Sequence, residues 1–245
     1  MRARSGVHKS PDMLQMNPRG QVPVFIDAEQ GGSIPIYESL AILSFLEMAY
    51  PRLALLPDSN SARGVVLMRM QETNNWSAVT MDFMRSVKRA KVGEPLGGHC
   101  RAFIAHKREL LRKEMALWDR YIGSNTFLAG AQITLADVSF FPLLAFAVRC
   151  GLCLDEFAQL GRYYRIMEAL PAVQATWPPH WRVEHCTAYM SDKYMAQFPS
   201  APPAPPELTG SGPSGQGQLT ACAQLTACGQ PAAAAMSDVC HNGHG

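Results

Sequence analysis

The stretch Asn17-Pro-Arg-Gly-Gln-Val-Pro-Val-Phe-Ile26, followed shortly by Ile36-Tyr-Glu-Ser-Leu-Ala-Ile-Leu43, constrains the fold more than any other part of the chain. Pro18-Arg-Gly20 reads as a turn, since proline pre-sets φ and glycine enters conformations closed to other residues. The apolar, β-branched run 22–26 then reads as a strand. Gly31-Gly-Ser33 reads as a hairpin turn, and residues 34–37 as a second short strand. Leu40, Ile42, Leu43, Leu46 and Glu47 continue into an amphipathic helix that ends before Pro51. A short helical stretch around 12–16 comes before all of this. Two strands and a helix within so few residues exclude an all-helical start, and Pro23 sets a further condition. Proline has no ladder donor to give, so Val22-Pro23 must stand where a strand is entered or at its edge.

After Pro57-Asp-Ser-Asn-Ser61, which reads as a linker between domains, the periodicity becomes helical throughout. Val65, Met68, Met70, Trp76, Val79, Phe83 and Met84 recur at helical spacing. A second long helix is expected over 101–122. Its apolar face carries Phe103, Ile104, Leu110, Leu111, Met115, Leu117, Trp118 and Tyr121, and Lys107, Arg108, Arg112 and Lys113 face water. A third helix is expected to begin at Thr134 and a fourth near Asp155. Leu170-Pro171 and Trp177-Pro-Pro-His-Trp181 are expected to end the regular helical part, because proline cannot continue a helix.

From Phe198 the chain turns to Pro, Gly, Ala, Ser and Thr with few large apolar side chains. Such a segment cannot bury enough to offset its ordering entropy and reads as disordered. It holds a tandem hexapeptide, Gln218-Leu-Thr-Ala-Cys-Ala223 and Gln224-Leu-Thr-Ala-Cys-Gly229, too short a repeat for a solenoid.

With 22 basic against 20 acidic side chains, the net charge is +2. No strong field recruits nucleic acid or anionic lipid, so neither is expected as a partner. The longest uncharged apolar run, inside 138–148, is bounded by Asp137 and Arg149, interrupted by Pro142 and too short to span a bilayer. The start Met1-Arg-Ala-Arg-Ser-Gly-Val-His-Lys-Ser10 has no apolar segment behind its arginines and does not read as a secretory signal. The chain therefore reads as a soluble, cytoplasmic protein. Its seven cysteines, odd in number and irregular in spacing, do not read as a disulfide framework. Cys150-Gly-Leu-Cys153 has redox or metal spacing, but a redox pair wants a helix N-terminus after it and this pair follows a helix. Zinc would want a second such pair, and Cys240-His241 and His244 are too sparse to supply one, so no metal is expected.

Two pairs of residues carry recognisable chemistry. A cis Val22-Pro23 bond would turn the N–H and C=O of Val22 outward, where a short peptide can pair with them as an added strand. Glu38-Ser39 stands where a strand ends and a helix begins. Free N–H groups and the positive dipole end attract a carboxylate there, Ser39 adds a hydroxyl donor, and Glu38 can accept from an ammonium. A γ-glutamyl group carries both of those charges. Thr134-Leu-Ala-Asp137 reads instead as a capping box, a folding device rather than a catalytic carboxylate.

Asn17-Pro18, Gly20, Val22-Pro23, Glu38-Ser39 and Ala41-Ile42 together resemble the glutathione-binding half of glutathione transferases. Arg69-Met-Gln-Glu-Thr-Asn-Asn75, Thr134-Leu-Ala-Asp-Val-Ser-Phe-Phe-Pro142 and Trp177-Pro-Pro-His-Trp181 are most similar to the rho-type, or fish GST-A-like, branch of that family. The resemblance covers about residues 7–183. It implies an α/β plus all-α fold, in which a truncated thioredoxin-like domain, lacking its first strand, helix and second strand, precedes an all-helical domain. The expected division is a partial glutathione-binding domain at 1–52, a linker at 53–62, the helical domain at 63–190 and a disordered tail at 198–245. The resemblance also implies that the Val22 backbone, with Pro23, holds the cysteinyl part of glutathione. Glu38 and Ser39 would hold the γ-glutamyl end, and His8, Lys9 or Gln21 the glycine carboxylate. One face of the helix bearing Met68, Trp76, Met81, Phe83 and Met84 would overlook the electrophile pocket.

The activity implied is conjugation of glutathione, as co-substrate, to small apolar electrophiles in detoxification, by a homodimer. The thiol-activating residue stays unassigned. Neither Ser5 nor Ser10 fits the role, because the family residue follows a first strand and nothing before Ser10 reads as one. The missing elements also imply an exposed edge at 22–26 and reduced stability. A second reading is a non-catalytic ligand-binding or scaffold protein, and a third is a glutathione-dependent isomerase on the same scaffold.

Overall fold

The computed structural model describes residues 6–29, 34–90, 98–183 and 189–195. The expected turn at 31–33 and the tail from 198, with its repeat and its Cys240, His241 and His244, lie outside the described residues. The chain opens with a 3₁₀ turn, Val7–Lys9, and helix α1, Pro11–Met16. Ser10 starts α1 by accepting the Met13 N–H, and Pro11 sits in the first turn, where its missing N–H costs nothing.

Two short strands follow, β1 at Val24–Phe25 and β2 at Ile36–Tyr37. They pair antiparallel, with Val24 opposite Tyr37 and Phe25 opposite Ile36. Both are shorter than the expected 22–26 and 34–37. Pro23 and Pro35 stand immediately before them and have no N–H to extend a ladder. Helix α2, Ser39–Ala49, follows at once, and its Phe45 ring meets Phe25 of β1 with centroids 6.0 Å apart. The helix is then tied to the connection behind it. Both Glu47 carboxylate oxygens accept the Leu55 N–H at 3.0 Å, and one also accepts the Leu56 N–H at 2.9 Å.

The rest is helical: α3 at Asn60–Arg89, α4 at Gly98–Ile122, α5 at Leu135–Arg149 and α6 at Ala158–Glu168. Helix α3 packs against both α4 and α5, and α4 also packs against α6. The centre of this core is aromatic. Trp118 of α4 and Phe140 of α5 stack with centroids 3.8 Å apart and planes within 3°, and Trp76 of α3 meets both rings edge-on. All three are fully buried. The Leu135 N–H donates to the Leu55 C=O at 3.1 Å, so the linker backbone is fastened to the head of α5.

Two expectations about the helices also need correction. The fourth helix begins at Ala158 rather than near Asp155, because Asp119 of α4 accepts the Gln159 and Leu160 N–H groups at 2.9 and 2.8 Å and so caps it from a distant part of the chain. The helical region also does not end at Pro171 or Pro179. Each proline opens a further short helix, α7 at Pro171–Thr176 and α8 at Pro179–Val183, and α9 follows at Asp192–Met195. Proline cannot continue a helix but is well suited to begin one.

Burial holds two tyrosines of α6 in their neutral form. It raises the Tyr163 hydroxyl well above the ordinary tyrosine range, and it raises Tyr164 to about 12, with Glu168 adding to the shift. Folding therefore retains protons that the unfolded chain releases above about pH 10. The stability these groups contribute is complete below about pH 10 and is lost as pH rises toward 12. Denaturant midpoints measured from pH 9 to 12 should fall over that interval, and Tyr164→Phe should flatten the fall.

Candidate functional site

The loop into β1 is built around Asn17, which is almost fully buried. Its side-chain amide donates to the Gln21 C=O at 2.9 Å, its Oδ1 accepts the Arg19 N–H at 3.0 Å, and its C=O accepts the Gly20 N–H at 2.8 Å. This Asx turn presents residues 21–23 outward. Gly20 has φ +55°, and a Cβ there would lie 2.8 Å from Cδ and 2.9 Å from Nζ of Lys9. The backbone angle is what calls for glycine, while the Lys9 side chain lying across it is flexible and can move aside.

The Val22-Pro23 peptide bond is cis. Val22 is 56% exposed, and no hydrogen bond among the described residues engages its N–H or C=O. Across the hairpin, Glu38 is the N-cap of α2, with φ +72° and ψ +114°. That is a conformation a glutamate reaches only at a cost of about 1–3 kcal/mol, and such strain gathers where a side chain has to be aimed. Its side chain makes no cap hydrogen bond, so the first N–H groups of α2 and the Ser39 hydroxyl face outward with the positive end of the helix.

An open cleft of about 860 Å³ lies beside these groups, with Pro23, Glu38 and Ser39 in its lining. Its far walls are Gln71, Thr73, Asn74 and Ser77 of α3 and Val138, Ser139, Pro142 and Leu143 of α5. The structure thus brings Pro23, Glu38 and Ser39 to one cavity, with Val22 next to it in sequence. Gln21 is exposed and offers its C=O to Asn17, and His8 and Lys9 stand on the 3₁₀ turn. None of these three lines the cleft. The Lys9 ammonium donates to the Arg19 C=O at 2.9 Å.

Helix α3 does overlook the cavity with one face, as expected of the helix that bears Met68, Trp76, Met81, Phe83 and Met84, but that stripe is not the face. Trp76, Phe83 and Met84 are buried in the helical core, and neither Met68 nor Met81 lines the cleft. The wall that α3 offers is polar. Amphipathic spacing reveals that a helix has an apolar face, but it does not reveal which neighbour covers that face.

Asp137 lies outside the cleft lining and serves the fold. Its carboxylate accepts the Leu128 N–H at 2.9 Å, the Thr134 N–H at 2.8 Å and the Thr134 hydroxyl at 2.9 Å, which closes the expected cap of α5. Burial raises its pKa, and these donors oppose the rise. The Tyr163 hydroxyl is close enough for the carboxylate to shift its titration, yet it makes no hydrogen bond of normal geometry. Cys150 is buried at the C-terminus of α5 and Cys153 is exposed beyond it, so the pair follows a helix as expected. Asp27 is a buried acid that the residues alone did not single out. It is buried behind β1, where it accepts the Glu29 N–H at 2.9 Å and the Tyr50 hydroxyl at 2.8 Å. Among the described residues, no helix is long and apolar enough to cross a membrane.

Comparison with known proteins places this geometry in a family. Residues 2–49 match the model of the glutathione S-transferase N-terminal domain, and residues 101–175 that of the glutathione S-transferase C-terminal domain. Over 180 residues the chain is 33% identical to glutathione S-transferase A of Pleuronectes platessa, a match covering 72% of this chain and 76% of that protein. A glutathione S-transferase from the Antarctic clam Laternula elliptica superposes with a TM-score of 0.69 at 32% identity, covering 78% of this chain and 84% of that structure. A maleylacetoacetate isomerase of Aspergillus fumigatus is 27% identical over 185 residues, 73% of this chain and 76% of that protein. A thioredoxin-like N-terminal part followed by a helical C-terminal part is the fold these relatives share with the chain, which belongs to the glutathione S-transferase family.

Proposed function

We propose that the chain conjugates glutathione to small electrophiles. The observation that carries this reading is the pairing of an outward-turned, unengaged Val22 backbone with the uncapped head of α2 at Glu38-Ser39, both beside one open cleft. The backbone of Val22 takes the cysteinyl part of the tripeptide as an added strand. The N–H groups at the head of α2 and the Ser39 hydroxyl take the γ-glutamyl carboxylate, and the Glu38 carboxylate takes the ammonium. Glutathione bound this way has its sulfur beside the cleft, in reach of an electrophile held there. Loss of the thiol proton generates the thiolate that attacks. Lys9, whose side chain lies across Gly20 and donates to the Arg19 C=O, supplies a donor for the glycine carboxylate, with His8 and Gln21 as the other candidates.

The conjugating reading is preferred to a purely ligand-binding one because the main-chain and helix-terminus groups suit a peptide with charged ends, which an apolar ligand would leave unpaired. The test is a conjugation assay with glutathione and 1-chloro-2,4-dinitrobenzene. A rate above the spontaneous one, saturating in both reactants and lost in Ser39→Ala with Glu38→Ala, is the expected result. A rate equal to the spontaneous one, while glutathione still binds, would return the chain to the binding reading.

The second part of the proposal is self-association. Met48 is 75% and Leu53 85% exposed, and Val65, Leu67 and Met68 at the start of α3 are also exposed, an apolar surface that a second copy of the chain can cover. Sedimentation at micromolar concentration should give twice the mass of the chain. Leu53→Lys with Met68→Lys should return it to the monomer mass.

A further inference from the structure

We propose that the paired ends of α3 and α4 form a docking surface for an anionic lipid membrane, with Phe103 as its apolar anchor. This surface is separate from the glutathione site.

The chain's net charge of +2 conceals a segregation of charge. Residues 82–113 hold nine of the 22 basic side chains and three of the 20 acidic ones, a surplus of six. The rest of the chain has 13 basic against 17 acidic side chains. The near-neutral total spoke against a field that draws lipid, but the distribution supplies one locally.

The fold gathers part of that surplus at one end of a helix pair. The Tyr121 hydroxyl of α4 donates to Glu72 of α3 at 2.7 Å, and the Lys107 ammonium of α4 pairs with Asp82 of α3 at 2.8 Å. These two links run in opposite senses along the two helices, so the end of α3 lies beside the start of α4. Arg85, Lys88 and Arg89 are exposed beyond the Asp82 pair, and Arg101 is half-buried beside them on α4. Between Asp82 and Glu109 the sequence has one acid, Glu94. Among the described residues, no ion pair engages Arg85, Arg89 or Arg101.

Helix stability accounts for only some of these cations. Lys88 and Arg89 stand in the last turn of α3, where they complement the negative end of its dipole. Arg101 stands near the positive end of α4, and the first turn of that helix has no acid to offset it. A cation there works against the helix, which points to a use outside it.

Phe103 favours lipid over another polyanion. Its ring is 51% exposed, one turn before Lys107, whose ammonium lies 5.0 Å from the ring centroid. An exposed aromatic among cations suits the boundary of a bilayer. The ring enters the edge of the acyl region while ammonium and guanidinium groups stay with the headgroup phosphates. Each cation near an anionic leaflet strengthens binding by about a factor of five.

Flotation of the full chain with vesicles tests this. Vesicles of phosphatidylcholine mixed with phosphatidylserine should bind it at low salt, and pure phosphatidylcholine should not. Arg85→Gln with Arg89→Gln and Arg101→Gln should weaken binding about 100-fold, with the thermal midpoint and the affinity for glutathione unchanged. Phe103→Ser should weaken binding to the mixed vesicles about tenfold, the burial of one ring, and leave retention on a heparin column unchanged. No binding to the mixed vesicles, equal binding to pure phosphatidylcholine, or binding that survives the triple substitution overturns the proposal. A Phe103→Ser variant that binds the mixed vesicles as well as the unaltered chain also overturns it, in favour of a soluble polyanion such as nucleic acid.

Discussion

Asp137→Ala is expected to destabilise the chain by about 4 kcal/mol. The fully buried carboxylate accepts two backbone N–H groups, of Leu128 and Thr134, and one hydroxyl. Removing it orphans two buried amides, one of them the capping-box amide of Thr134 at the head of α5, at roughly 1–3 kcal/mol each. The damage spreads because α5 carries Phe140, the ring stacked on Trp118, and Pro142 and Leu143 of the cleft wall. Asp137→Asn keeps one carbonyl acceptor but turns an NH₂ group toward donors, so it should cost roughly half as much. Urea denaturation of the three proteins measures this directly. A loss below about 1 kcal/mol for the alanine variant would mean that the carboxylate is not the organiser of this helix start.

Glu38→Ala is expected to lower glutathione affinity about 30-fold, the loss of one hydrogen bond between charged groups. The informative companion is Glu38→Gly. Glycine adopts positive φ without penalty, so at φ +72° it should preserve or raise stability, by up to about 1 kcal/mol, while losing the same affinity. A stability gain coupled to a loss of binding is the signature of strain retained for function. Calorimetry and denaturant midpoints on both variants separate the two effects. Unchanged affinity in both would remove Glu38 from the site.

The parts of this structure that follow from local pattern were legible in the residues. A continuous apolar, β-branched run and a turn before residues 34–37 marked the short strands, helical spacing marked α2, α3 and α4, and the Thr134 to Asp137 spacing marked the head of α5. The strand lengths were overread because Val22 and Ile34 look β-forming, whereas the prolines beside them decide where a ladder can run. Pro171 and Pro179 were read as stops when they are starts. What no local pattern could show were the partners brought by the fold. Asp119 caps α6 from another helix, and Tyr50 closes on Asp27. The same limit applies to the cleft. That Pro23, Glu38 and Ser39 meet at one cavity followed from a hairpin of plausible length. That the wall facing them is Gln71, Asn74 and Ser77 depends on which side of α3 the α5 helix leaves uncovered, a tertiary fact. The backbone angle of Glu38 was equally hidden, since glutamate is not a residue that announces positive φ.

The central claim is that this chain holds glutathione by its γ-glutamyl end at the head of α2, with the Val22 backbone carrying the cysteinyl part. Calorimetric titration with glutathione, alongside cysteinylglycine, which lacks only the γ-glutamyl group, tests it most directly. One saturable site for glutathione, with cysteinylglycine bound at least about 30-fold more weakly, is the predicted result. No saturable binding of glutathione, or equal binding of the two peptides, would contradict it.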